Sequence, residues 1–389
     1  MTGRMPAMHA ADIDWSRLFH AYGPASDTPA HLRALTGPDD DARTGALDHL
    51  WSAVIHQGTP WTVTPPAALV VAELLTDPET MRPANDVLRA ILLDFLGEVA
   101  EAALPDTPED EIRAVAYPAS GEDEIGPALD AILAENEVDW DGDAVQAIMA
   151  RVVLDLRAIA PTLLDHVTAC LDDPDLRVRV DATGAAGTLA LIPGVGADGL
   201  AARLEGTAAR SGDHHERCAA MLTLGALGVA PRAFLADPHP AVRACAALAP
   251  ALAADPAATR EILAALRDPA EADSWLTIPL RLVPGRLRFA LVAAAVERAE
   301  SFEELLPAAL AIAGMTSHWT VDVDWGPLLT AAFPAPVGEP PVLTPAQRAY
   351  LGALVANDEI WNPKMVNPIS WFRAAGLPYE REACRRLIS

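Results

Sequence analysis

Apolar residues return at three- and four-residue steps through most of the chain. Over residues 39–55 the series Ala42, Ala46, Leu47, Leu50, Trp51 and Val54 marks one face of an amphipathic helix. That helix is expected to close at His56-Gln57-Gly58-Thr59-Pro60-Trp61, where Gly58 suits a left-handed C-terminal position and Pro60 forbids continuation. Further helices are predicted over 65–75 and 89–104, followed by an Ala/Leu-rich succession from 144 to about 310. Alternating Val/Ile/Thr runs bounded by turn signals, the mark of strands, are almost absent. The fold class is all-α.

One pattern recurs within that succession. Asp173-Pro174 and Asp237-Pro238 are each followed by Val-Arg (Val178-Arg179, Val242-Arg243) and then by Ala182 or Ala246. Asp is a good N-cap and Pro fits the first helical position, so each copy predicts a helix start, with the Arg on the second turn. From there Arg179 or Arg243 can reach the Asp of a neighbouring copy. Gly37-Pro38 with Arg43 and Ala46, and Ser211 with Arg217 and Ala220, fit the same frame more weakly. The interval from Gly37 to Asp173 holds four units of about 34 residues, a helix-pair repeat length.

Composition refines this picture. The 389 residues suffice for two or three compact domains or one extended array. The chain is 51% hydrophobic but only 5% aromatic, so its core must be built from Ala, Leu and Val, which pack helices closely. Four separated cysteines without a CxxC pair are expected to be reduced and buried. Residues 1–15 hold no signal-type apolar core, and the longest uncharged runs are broken by Pro and Gly, so no membrane span is expected. A cytoplasmic protein fits these features.

The net charge is −26, unevenly spread: residues 94–143 carry 16 acidic side chains against Arg113 alone. Such a run is ordinarily a solvated face with a mobile loop. Its functional reading is a docking surface for a protein with a basic patch, with Glu122, Asp123, Glu124, Asp139, Asp141 and Asp143 as candidate contacts. The charge argues against nucleic acid as a partner.

Candidate chemistry is sparse. His49 and His56 lie seven apart on one expected helix, about 10 Å by helical rise and too far for a single ion. Capping and packing are therefore their expected roles, and no metal or cofactor is expected. Asp139-Trp140-Asp141-Gly142-Asp143 has the opening of a calcium loop, but Ala144 and Ala150 stand where that loop needs Gly and Glu. Ser211-Gly212-Asp213-His214-His215-Glu216 gathers nucleophile, acid and base types, yet a capped helix start accounts for Ser211 and Asp213. The stretch from Trp51 to Trp61 is different. Two tryptophans flank His56, Gln57, Gly58 and Thr59, with Trp15, His20 and Tyr22 upstream, a composition typical of binding surfaces. Trp51, His56, Gln57 and Trp61 are therefore candidate partner contacts, and an N-terminal cap packed on the first repeat is the structural alternative.

The Asp-Pro then Val-Arg spacing resembles HEAT repeats, in which this Asp and Arg form a ladder between successive helix pairs. His20-Ala21-Tyr22-Gly23-Pro24 with His56-Gln57-Gly58-Thr59, and Leu343-Thr344-Pro345 with Gly376-Leu377-Pro378, also look like a group of bacterial HEAT-repeat proteins of the phycobilisome-lyase-like type. The resemblance implies a right-handed α-solenoid of helix pairs and a scaffold or partner-binding role. It divides the chain into N-terminal repeats with the Trp/His cluster (1–104), an acidic irregular region (105–143), a repeat body (144–333), and a proline linker with a helical cap (334–389). A non-catalytic protein-binding array is the leading expectation. Its alternatives are an inhibitor or immunity protein that neutralises a basic toxin domain, and a HEAT-type enzyme acting on a nucleobase or small ligand near His56.

Overall fold

The computed structural model describes residues 13–389 apart from 197, 198, 339–341 and 363. The N-terminal residues 1–12, and the centre of the expected linker at 339–341, thus lie outside the described part. Nearly all regular structure is helical. The exceptions are two minimal hairpins, β1 (Phe19–His20) with β2 (Gly23–Pro24), and β3 (Ile55–His56) with β4 (Thr59–Pro60). No helix among the described residues is long and apolar enough to cross a membrane.

Contacts divide the chain into two compact units, residues 1–203 and 204–389. The first contains α1 (Thr28–Ala34), α2 (Asp40–His49), α3 (Thr64–Leu75), α4 (Asp86–Ala102), α5 (Glu109–Ala116), α6 (Glu122–Leu133), α7 (Asp143–Ala169) and α8 (Leu176–Ala190); α9 (Leu200–Arg210) spans the division. Here α3 packs on α4 and α7 on α8, while α3 also meets α7 and α4 runs along α8. Two helix pairs therefore lie against each other, first helix on first and second on second. The acidic helices α5 and α6 both lie against α7.

The second unit continues with α10 (His214–Ala226), α11 (Pro240–Ala247), α12 (Pro256–Ala265), α13 (Pro269–Ser274), α14 (Leu287–Arg298), α15 (Phe302–Ala313), α16 (Trp325–Ala332), α17 (Pro345–Ala356), α18 (Val366–Ala374) and α19 (Arg381–Ile388). From α12 to α19 each helix meets the next but one: α12 with α14, α13 with α15, and so on to α17 with α19. Small residues also let α10 approach the turn after α11 closely. A side chain added at Gly225 would come within 3.0 Å of the Ala249 backbone. At the C-terminal end, Thr344 and Gln347 close the expected capping box at the start of α17. Trp361 stacks on Tyr379 and meets Phe372, which in turn packs edge-on against the fully buried Trp325. All four cysteines are free and buried.

Each of the four frame starts leads into a helix, but the helices begin two residues later than the spacing predicts. The N-caps are Asp39, Asp175, Asp213 and His239, each two positions after the frame start. Asp173 and Asp237 instead precede the helix in nearly identical extended conformations (φ −58°, ψ 142° and φ −60°, ψ 142°). A following proline disfavours helical geometry, which explains the delay. The arginine then folds back over the turn. Arg179 donates to the carbonyls of Asp173 (2.9 Å) and Pro174 (3.1 Å), and Arg243 donates to those of Asp237 (2.9 Å) and Pro238 (3.3 Å). Arg43 makes the same clasp on Gly37 (2.5 Å). Arg217 breaks the pattern: it donates to the Asp237 carboxylate of the next copy at 2.7 Å.

The expected helix over 39–55 is also shorter than its apolar period. Helix α2 stops at His49 and widens into one π-type turn over Leu50–Val54, and the chain then enters β3. Gln57 and Gly58 both have positive φ (50° and 79°) and form the two-residue loop between β3 and β4. Gly58 thus serves a tight hairpin turn and not a helix C-terminus, because two consecutive left-handed residues match the twist of paired strands.

Candidate partner-binding surface

The site begins with a core that joins distant parts of the first unit. Phe19 of β1 is fully buried among Ile125 and Ile132 of α6 and Val145 and Ile148 of α7, with Trp61 packed at its edge. Trp140, in the turn before α7, meets Phe19 and Trp61 with ring centroids 6.4 and 5.9 Å apart. The Trp61 indole N–H is buried without an acceptor among the described residues. The acidic helix α6 is therefore held directly on the N-terminal hairpins.

Arginines hold the inner edge of this assembly. Arg151 of α7 donates to the Ala116 carbonyl and to Glu122 (2.7 Å), and lies 5.0 Å from the centre of the Tyr117 ring. Arg157 donates to the Ala103 carbonyl and lies 3.6 Å from Glu109. Arg17 pairs with Asp130 at 2.7 Å. The remaining acidic candidates (Asp123, Glu124, Asp139, Asp141 and Asp143) are exposed, as is Glu122 at the end of its pair. Among them stand exposed apolar side chains: Val115, Tyr117 at 57% exposure and Trp140 at 48%.

The structure sorts the predicted residues into different surroundings. Trp61, Asp139, Asp141 and Asp143 belong to the hairpin, α6 and α7 assembly, and Glu122, Asp123 and Glu124 start α6. Trp51, however, packs edge-on against Phe95 of α4. His56 has left the helix for β3, donates from Nδ1 to the Ser52 carbonyl (2.9 Å) and meets the Tyr22 ring. Gln57 is exposed at the hairpin tip. The expected shared helical face of His49 and His56 does not exist, because the helix ends between them. Tyr117 and Val115 were not singled out in the sequence; their only signal there was an aromatic or aliphatic residue amid acids.

His49 joins a different group. Its ring stacks on His31 (4.1 Å) and lies 5.3 Å from His20, and its Nε2 is 2.9 Å from the Thr28 hydroxyl. Burial first, and His31 second, lower its pKa to about 4, so it is neutral near pH 7. Ligand atoms of His20, Asp27 and His49 lie within 4.8 Å of one another, and so do those of Asp213, His214 and His215. The hydrogen bonds oppose a metal in both groups. His20 Nδ1 accepts the Tyr22 N–H (3.1 Å), so its proton sits on Nε2, directed at Asp27 (3.2 Å). His215 Nε2 accepts the Thr277 N–H (3.1 Å), so its proton sits on Nδ1, directed at Asp213 (3.2 Å). In each case the nitrogen facing the carboxylate has no lone pair to offer.

Searches against protein-family models, curated proteins and solved structures found no match to this chain.

Proposed function

We propose that the chain is a non-catalytic HEAT-like protein, built as a right-handed α-solenoid of helix pairs, that binds a partner protein bearing a basic patch. The observation that carries this reading is the placement of Tyr117 and Trp140, both exposed, among the outward carboxylates of α6 and the 139–143 turn. Arg17, Arg151 and Arg157 pair with Asp130, Glu122 and Glu109, and the other exposed carboxylates of α6 and the 139–143 turn add to the negative field. Exposed aromatics supply affinity where they are covered, and neighbouring carboxylates steer a basic partner toward them. The pairwise packing of α12 to α19, and of α3–α4 on α7–α8, supports the repeat architecture.

The test is affinity capture from native lysate with the wild-type chain, beside Trp140→Ala and a Glu122→Lys/Asp123→Lys/Glu124→Lys variant. One basic protein should bind the wild type and be lost from both variants, with affinity falling steeply as salt rises. Partners retained equally by all three chains would refute the assignment. A salt-insensitive partner lost only on Trp140→Ala would keep the surface but remove its electrostatic half.

A further inference from the structure

The second unit contains a cavity of about 570 Å³ between α10, α11, the turn after it, the loop before α14, and α14 itself. That volume is within the range of sites that hold small organic molecules, roughly 300–1,000 Å³. Its wall is aliphatic: Leu222, Leu248, Pro250, Leu282 and Val283 provide the bulk. Alanines such as Ala226, Ala290 and Ala294 leave the space that larger side chains would fill. No aromatic ring lines it, so flat stacked ligands such as nucleobases find no platform.

One cation interrupts this wall. The terminal nitrogens of Arg298 donate to the carbonyls of Ala247 (2.6 Å) and Leu248 (3.3 Å), which hold the guanidinium in place. Its Nε–H is closed off from solvent and has no acceptor among the described residues. The two carbonyls satisfy donors but are neutral, so they do not balance the positive charge of this partly buried guanidinium. Burial accordingly lowers the Arg298 pKa, and Glu297, exposed at the rim, partly offsets that effect.

We propose that this cavity binds an aliphatic monocarboxylate, with the chain along the Leu222–Leu282 wall and the carboxylate at Arg298. A single guanidinium suits a single negative charge, and an unbranched apolar body suits an aliphatic wall without rings, whose carboxylate, Glu297, is exposed at the rim. The assignment uses residues of the second unit alone and stands apart from the partner-binding reading.

The experiment is calorimetric titration of the full chain with decanoate, 1-decanol and decylamine, repeated on Ala290→Phe and Arg298→Gln. Decanoate should bind saturably at one site, decanol at least about tenfold more weakly for want of the charge-assisted bond, and decylamine not at all. Ala290→Phe should abolish binding by filling the space. Arg298→Gln should reduce decanoate to the level of decanol while leaving decanol unchanged. The proposal is overturned if decanoate shows no saturable binding, if Ala290→Phe binds it as well as the wild type, or if the amine binds as tightly as the acid. Should Arg298→Gln not fold, the three ligands on the wild type and Ala290→Phe still decide the matter.

Discussion

The two Asp-Pro turns share almost every local feature and differ in what reaches them. Each sits in the same extended conformation, caps the N–H two residues on (Asp175 at 2.9 Å, His239 at 2.8 Å), and is clasped by the arginine six residues later. Asp173, however, receives Arg89 of α4 through two parallel bonds, at 2.9 and 3.0 Å, with both side chains fully buried. Asp237 receives Arg217 of α10 through one bond, with the side chains 6% and 15% exposed. Arg89 also donates to the carbonyls of Thr80 and Arg82, so four of its five N–H groups have acceptors in the dry interior. The local motif is therefore a turn-former, and the energetic weight of its carboxylate depends on how dry its distant partner is.

The sharpest test of that difference is Asp173→Ala against Asp237→Ala. Removing Asp173 strands a buried guanidinium charge and should cost about 3–5 kcal/mol. Removing Asp237 leaves Arg217 able to reach water and should cost about 1–3 kcal/mol. Urea unfolding of the two variants checks the order; equal losses would mean that burial of the ion pair is not what separates the copies. Next in size, Arg179→Ala and Arg243→Ala should each lose about 1–2 kcal/mol, because both delete a charged donor to two carbonyls of the same turn. A gap between these two larger than the Arg243–Glu261 pair at 2.8 Å accounts for would show that the clasp is not a common element.

The smallest effects concern acid. The pKa of His49 falls to about 4, and burial likewise lowers those of His215 and His239, so the folded chain binds fewer protons than the unfolded chain below about pH 6.5. Their contribution is intact above that pH and is lost as pH falls from 6.5 toward 4. The lowered pKa values of Asp27 and Asp213 extend the loss below the ordinary carboxylate range. Thermal melts should drop steadily across this interval. His49→Gln should flatten the His-dependent part in the first unit, while His239→Asn, which keeps an N-cap acceptor, should do so in the second. Unchanged slopes in both variants would remove the histidines from the account.

Much of the local structure could be read from the chain. The apolar periods located most helices, and the Thr344 and Gln347 box and the Gly58 turn position were visible as residue types. The errors came where two local signals competed. At Asp173-Pro174 a capping residue and a proline predicted an immediate start, but Asp175 supplied a second cap and Arg179 took up the intervening carbonyls. At 50–61 the apolar period ran on into a segment whose hydrogen bonds are satisfied by a hairpin. The surface was legible only in part. Its acids could be counted in sequence, but Trp140 acquires its role by contact with Trp61 and Phe19, some 80 and 120 residues away.

What the sequence determined by itself is whatever depends on a few neighbouring residues: helix content, turn chemistry, the offset of each arginine from its frame, and the excess of acid. Tertiary structure alone decided which arginine meets which aspartate, that α5 and α6 lie on α7, and that His49 joins His20 and His31 in place of His56. Local preferences are fixed by the covalent spacing of groups that are always within reach of one another. Partners far apart in the chain are selected by how whole apolar faces exclude water, and that depends on every helix at once.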